Sequence, residues 1–457
     1  MNCAVTDRRR LVPVSATAVG TVIEWYDFFL YSAAAALIFN KQFFGPVSPT
    51  VGTMIAFATY AIGFVVRPLG GLVLGTLGDR IGRKPVLILT VTLMGLSTVL
   101  IGLLPNFDAI GYWAPALLIL LRIMQGFGAG AEYVGAIVVA GESGRHNRGF
   151  YTAIPAAGVD VAMMLAAGMF ALSALMPPTE FQAWGWRIPF LLSVIGLGVA
   201  LFIRMRMQET EEFRRFEKTP LALEASPLRR VVTRHPKKLL IAAGVNVGAS
   251  LSFIFQTFAL SYAINTLGYP TVASLLGVVL SGLIGSVATV FWGALSDRVG
   301  RRPVVIGGAL FLIAFIVPFF VIVQMGSITL LFVAVIVAHI ADRAIFGVQA
   351  SFYVEYFPAD VRFTGIAAAR EITSAVIGGP LPLIATALVA VSGGSPWLVA
   401  GLVAALAGIS AFAMWGAPET NYEISGYQAD SITAQSSRHR QSRSQPVGPP
   451  TFTDTIT

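Results

Sequence analysis

The chain has 457 residues, 56% of them hydrophobic and only 12% charged, with a mean hydropathy of +0.75. Soluble domains carry about a quarter charged residues, so a water-soluble globule is excluded and a polytopic membrane protein is indicated. The net charge of +8 does not imply a nucleic-acid partner, because the basic residues sit between apolar stretches, where they set topology; the lone cysteine, Cys3, excludes a disulfide framework and a thiolate metal site.

At the N-terminus, Arg8, Arg9 and Arg10 precede an apolar run that imitates an export signal. Glu24 and Asp27 fall inside that run and no small-residue cleavage pattern precedes it, so residues 1–14 are expected to be a short cytoplasmic tail before a retained first span. Runs long enough to cross about 30 Å at roughly 1.5 Å per residue place twelve spans at 15–38, 51–76, 85–104, 114–140, 150–175, 187–206, 238–264, 271–294, 303–323, 328–352, 364–390 and 396–416. Arg80, Arg83, Lys84, Arg145, Arg148, Arg298, Arg301, Arg302 and Arg362 all lie in even-to-odd loops, whereas the opposite loops offer little beyond Lys41. Both termini are therefore expected in the cytoplasm. The charged stretch QETEEFRRFEK marks residues 207–237 as the central cytoplasmic loop, which separates six-helix bundles at 15–206 and 238–417. The Ser-, Gln- and Arg-rich segment 418–457 is expected to be disordered.

The loop GTLGDRIGRK at 75–84 recurs as GALSDRVGRR at 293–302, and GESGRHNRG at 141–149 corresponds to VEYFPADVRFTG at 354–365. Duplicated spacing of this kind indicates two related six-helix halves, an architecture of secondary transporters. Gly75, Gly82, Gly293 and Gly300 permit tight turns. Asp79 and Asp297 are placed to pair with helix termini and with basic neighbours, among them Arg80, Arg83, Arg298 and Arg301, so the two loops are expected to act as a conformational gate.

These loops resemble the signature of the major facilitator superfamily. With EWYDFFLY, RPLGG at 67–71, RIMQGFGAGAE at 122–132 and WGWRIPF at 184–190, the chain resembles that superfamily's metabolite:H+ symporters, which include shikimate, α-ketoglutarate and proline/betaine carriers of bacterial inner membranes. The resemblance runs from span 1 to PET at 418–420. It implies an all-α fold of twelve transmembrane helices in two pseudo-symmetric halves, and proton-coupled uptake by alternating access. Three places depart from the family pattern: IPAAGVDVA in span 5, with Ala156 and the extra acid Asp160; HIADRAIFGVQA in span 10, with Asp342 and Arg343; and Arg370 with Glu371 in span 11.

Charges inside spans are costly, and by default they mark function. Asp27 lies about 18 Å from the inner end of span 1 and Arg122 about 12 Å from the outer end of span 4, so the two are level; in the superfamily fold both helices line the cavity, which makes them a candidate coupling pair. Glu24, Asp27 and Tyr31 fall within about 60° on one helix face. Protonation of Asp27 is expected to free Arg122 for a carboxylate substrate, with Glu24 and Asp160 as further proton-coupling candidates. Tyr31, Tyr133, Asn246 and Gln256 are candidate substrate contacts. Arg67 and Glu132 are expected to form a gate or packing pair at the cytoplasmic end, and Asp342, Arg343, Arg370 and Glu371 are expected to form buried ion pairs between spans 10 and 11.

A proton-driven importer of a small polar metabolite, most simply an organic acid, fits these features; its partners are then the substrate, protons and the bilayer, and a monomer suffices. A carrier of a zwitterionic osmolyte and an exporter are the alternatives within transport. A passive channel would not explain two gate signatures. With four histidines, no metal spacing and no nucleotide loop, neither enzyme chemistry nor a cofactor is expected.

Overall fold

The computed structural model describes residues 2–81, 83–130, 132–144, 147–206 and 227–421, which form helices and turns with no strand among them. Eleven helices in this set are long and apolar enough to cross a membrane. The helix Asn2–Leu37 is as long, but its acids dilute its hydropathy; it supplies span 1, and the total is twelve. The others are span 2, Pro49–Ile81; span 3, Arg83–Leu103; span 4, Trp113–Gly128 and Glu132–Ser143; span 5, Arg148–Ser173; and span 6, Ile188–Arg206. In the second half, span 7 begins as the helix Pro236–Ala249, followed by span 8, Thr271–Val299; span 9, Arg301–Val323; and span 10, Ile328–Tyr356. Span 11 comprises Arg362–Thr373 and Leu381–Val391, and span 12 is Trp397–Trp415.

Several boundaries differ from those expected. The first helix is described from Asn2 onward, so residues 2–14 continue span 1 as helix instead of forming a separate tail. Span 4 is interrupted between Gly128 and Glu132, where the glycines of GAGAE weaken helix propensity. Spans 7 and 11 contain π-helical turns at Ile254–Phe258, Tyr262–Thr266 and Ser374–Gly378, a local widening that often accompanies functional sites. In the expected central loop, Pro227–Arg234 is a short helix, and 207–226 lie outside the described residues. The tail remains attached through Asn421, and the expectation of disorder for 422–457 falls outside the described residues, as does Gly82. At Gly75, Asp79, Arg80 and Arg83 only the backbone is described.

Helix pairings repeat between the halves: span 1 packs on 5 as 7 does on 11, span 2 on 4 as 8 on 10, and span 3 on 6 as 9 on 12. Spans 3, 6, 9 and 12 are the least buried. They turn Leu96, Ile195, Leu310 and Phe412 outward, an arrangement suited to lipid, where no hydrophobic penalty attaches to exposed side chains. Exposed Tyr112, Trp113, Trp184 and Trp397 ring one end of the bundle, as expected for a membrane–water interface. The opposite end carries the basic loops and is called the basic end below.

Spans 2 and 4 touch backbone to backbone. A Cβ on Gly70 would lie 2.0 Å from the Phe127 carbonyl oxygen, and one on Gly126 would lie 2.2 Å from that of Gly63, so only glycine permits this approach. The two halves meet at both ends. At the basic end, a Cβ on Gly149 of span 5 would be 2.2 Å from the Gly293 carbonyl oxygen of span 8. At the far end, Ser32 and Thr257 share a 2.6 Å hydrogen bond, and Asn265 donates to the Ala36 carbonyl at 3.0 Å.

Candidate functional site: a closed cavity between two arginines

At mid-bundle the halves enclose a cavity of about 30 Å³, room for water but not for a metabolite. Trp25 and Phe29 of span 1, Asn246, Ser252 and Gln256 of span 7, and Arg343, Phe346 and Arg370 from spans 10 and 11 are among its walls. Two guanidiniums and no carboxylate line it among the described residues. Gln256, on the first π turn of span 7, is buried with neither amide atom hydrogen-bonded, and the indole N–H of Trp25 is likewise unpartnered. Buried polar groups left unpaired are costly, so these groups form a ready-made set of donors and acceptors facing the cavity.

Each cavity arginine is held by the acid beside it in sequence. Arg370 donates to Glu371 at 2.6 Å, and its guanidinium lies 4.1 Å from the ring centroid of Tyr133 and 5.5 Å from that of Trp25. Arg343 is paired with Asp342, reaches Asp160 of span 5 at 3.1 Å, and donates to Ser252 at 2.5 Å. Asp160 also accepts from Thr289 at 2.8 Å and faces the His339 ring at 3.0 Å. Nearer the basic end, Arg67 donates to Glu24 at 2.5 Å and lies 3.5 Å from Glu371, with Phe28 under its guanidinium at 4.7 Å.

Several expected pairings are therefore redistributed. Asp342, Arg343, Arg370 and Glu371 are buried and ion-paired, but not between spans 10 and 11. Side chains adjacent on one helix pair with each other, and the longer reaches go to Asp160 and Arg67 in the other half. Arg67 and Glu132 do not pair; Arg67 takes Glu24, and Glu132 takes Arg204 of span 6. Asp27 and Arg122 share the expected depth, yet Asp27 has no ion-pair partner among the described residues. Arg122 instead donates to Gln125 at 2.5 Å and to the Tyr60 carbonyl at 3.2 Å, inside a box of Phe28, Tyr31 and Tyr60 rings. Neither Arg122 nor Tyr31 lines the cavity, where Tyr31 is held off by a 2.7 Å hydrogen bond to Thr59. Tyr133 does not line the cavity but packs behind its wall, against Arg370, Trp25 and Phe346. Asn246 and Gln256 do face the cavity; Asn246 donates to the Arg370 carbonyl at 3.2 Å and accepts from Gln349 at 2.7 Å.

At the basic end Asp297 accepts from the backbone N–H groups of Gly149 and Phe150 at 2.8 and 2.9 Å, a carboxylate on the positive N-terminus of span 5. It also pairs with Arg301 at 2.8 Å. Arg301 in turn holds Glu355 at 2.9 Å. Gly300, at φ 101°, makes the turn between spans 8 and 9, and Glu419 accepts from the first N–H groups of span 9, those of Arg301 and Arg302. Glu355, Glu419 and His339 were not singled out by sequence reasoning. Glu355 carries a visible signal, since it stands within the repeated stretch at 354–365.

Residues 17–381 match the family model described as the Major Facilitator Superfamily. The chain is 40% identical over 377 residues to the shikimate transporter of Escherichia coli (strain K12), covering 81% of this chain and 86% of that one. It is 33% identical over 398 residues to the proline/betaine transporter of the same organism, covering 84% and 79%. A crystal structure of a D-xylose-proton symporter superposes with a TM-score of 0.68 at 19% identity, over 89% of this chain and 98% of that one.

Proposed function

The chain belongs to the major facilitator superfamily, and from that premise we propose that it is a proton-coupled importer of a small organic acid, working by alternating access in a bacterial inner membrane with the basic end and both termini in the cytoplasm. One observation carries the substrate class: two guanidiniums and no carboxylate line the cavity between the halves. Arg370 or Arg343 would leave its neighbouring acid to hold the substrate carboxylate, a charge-assisted and commonly bidentate contact. Gln256, Asn246 and the Trp25 N–H supply hydrogen bonds to hydroxyl or carbonyl groups elsewhere on the substrate. Proton coupling follows from electrostatics, since bringing an anion among buried acids is favoured when a proton enters with it. Asp27, Glu24 and Asp160 are all buried and remain the acids to be weighed.

A second reading is favoured by the cavity's aromatic walls. Trp25, Phe29, Phe253 and Phe346 could cradle a quaternary ammonium, as in a betaine, with one arginine on the carboxylate. Reconstituted proteoliposomes separate the readings. With an imposed inward proton gradient, uptake of shikimate or another carboxylate should exceed equilibration and collapse with a protonophore. Accumulation of glycine betaine alone would select the second reading, and uptake indifferent to the gradient would remove proton coupling.

A further inference from the structure

We propose that His339, acting with Asp160 across the junction of the two halves, is the site that takes up the transported proton. This rests on the organic-acid symport reading above.

The geometry comes first. Asp160 belongs to span 5 in the first half; His339, Asp342 and Arg343 belong to span 10 in the second. All four are buried. One oxygen of Asp160 faces both His339 Nε2, at 3.0 Å, and Arg343, at 3.1 Å, while its other oxygen accepts from Thr289 at 2.8 Å. The other ring nitrogen, His339 Nδ1, is buried with no hydrogen-bond partner. The packing is built around this ring: a Cβ on Gly285 would lie 2.4 and 2.5 Å from its atoms, so span 8 presents a bare glycine face there. From Thr271 to Ser296 span 8 brings no charged side chain, and from Pro303 to Val323 span 9 brings none; span 7 contributes the hydroxyl of Ser252. Tyr133 of span 4, stacked on Phe346 and electrostatically coupled to Arg343, is the remaining titratable neighbour.

Counting charges then assigns the role. Two carboxylates, Asp160 and Asp342, face one guanidinium, Arg343, so with a neutral imidazole the cluster carries one uncompensated negative charge in a buried site. A proton on His339 balances it. The new N–H bond forms at Nδ1, leaving Nε2–H on Asp160, and the same bond breaks on release. Arg343 also lines the cavity. When a substrate carboxylate engages it from that side, the cluster gains a further negative charge, so the anion favours the proton and, by linkage, the proton favours the anion. Because the acid and the imidazole sit on opposite halves, parting the halves opens the Asp160–His339 contact to water.

The test uses the full chain. Replacing His146, His235 and His439 with Gln leaves His339 as the single imidazole, observable by nitrogen NMR in lipid nanodiscs. The ring should convert between its neutral and charged forms on titration, and Asp160→Asn should displace that transition. Gly285→Ala, which pushes on the ring while sparing every charge, is the second variant should Asp160→Asn not fold. A ring that does not titrate, or whose transition ignores both variants, overturns the proposal, whatever the substrate proves to be. In proteoliposomes that accumulate shikimate, His339→Gln should abolish gradient-driven accumulation yet retain shikimate exchange. Concentrative uptake by His339→Gln would defeat the proton site while the symport reading stood. Absence of carboxylate uptake by the unaltered chain would defeat the symport reading, and the imidazole titration would still decide the proton site.

Discussion

Replacing Arg67 should cost the protein more than replacing its partner Glu24, although the two form a single 2.5 Å ion pair with each side chain 1% exposed. The asymmetry comes from what each change strands. In Arg67→Met, Glu24 loses its only ion partner among the described residues, and its second oxygen already has no hydrogen bond. In Glu24→Gln, Arg67 keeps Glu371 at 3.5 Å, the Ala129 carbonyl at 3.1 Å and the faces of Trp25 and Phe28. A stranded buried charge costs about 3–5 kcal/mol, whereas losing one charge-assisted bond outright costs about 1.5–3 kcal/mol, and exchanging it for a neutral one costs less. Unfolding free energies in mixed detergent micelles, measured for both single variants and the double, give the comparison. The double variant should recover about 1–3 kcal/mol relative to the sum of the singles. Additivity within about 0.5 kcal/mol, or a larger loss for Glu24→Gln than for Arg67→Met, would refute the reasoning.

Arg370→Gln should weaken shikimate binding, measured by scintillation proximity, at least about tenfold, while Arg122→Gln, whose side chain is outside the cavity, should shift it by no more than about threefold; the reverse order would return the carboxylate contact to span 4. Asp297→Asn should loosen the basic end, because a neutral amide holds the span 5 N-terminus and Arg301 less well. A cysteine at Ala153, in a chain with Cys3→Ser, should then react with maleimide about tenfold faster, and an unchanged rate would deny Asp297 a sealing role. Gly126→Val should leave little monodisperse protein on size exclusion, since its Cβ would strike the Gly63 carbonyl, whereas Gly135→Ala, with nothing within 4 Å, should behave as the unaltered chain.

The fold was largely legible because its signals are long and repeated: apolar runs of membrane length, loops alternating in charge, and a Gly-, Asp- and Arg-bearing loop motif present twice. Element interiors were less so. The break at GAGAE and the π turns at Ile254, Tyr262 and Ser374 shift helix phase by a fraction of a turn, which depth counted at a fixed rise does not register. Asp27 and Arg122 lie on uninterrupted helix from the ends their depths were counted from; they are level yet form no ion pair, because Arg122 turns into the rings of Phe28, Tyr31 and Tyr60. Depth also says nothing about azimuth, so Arg343 could be placed beside Glu371 on paper while its side chain turns to Asp160. His339 carried only the general signal of an ionisable group inside a span, with nothing to point to its partner. It gains meaning only from a carboxylate 179 positions away in sequence.

The segment after the last helix is tied to the turn between spans 8 and 9. Glu419 caps span 9, Thr420 donates to Glu355 at 2.8 Å, and Asn421 donates to the Asp297 carbonyl at 2.8 Å. Glu419 and Asn421 thus grip the turn whose acid holds span 5, and Thr420 between them grips Glu355 of span 10, the partner of Arg301. Mechanically, Glu419 to Asn421 are an anchor point: a load on the chain beyond Asn421 reaches the seal between the halves before it reaches span 12. A rigid fusion joined directly at Asn421 therefore strains that seal, and one joined through a slack linker spares it.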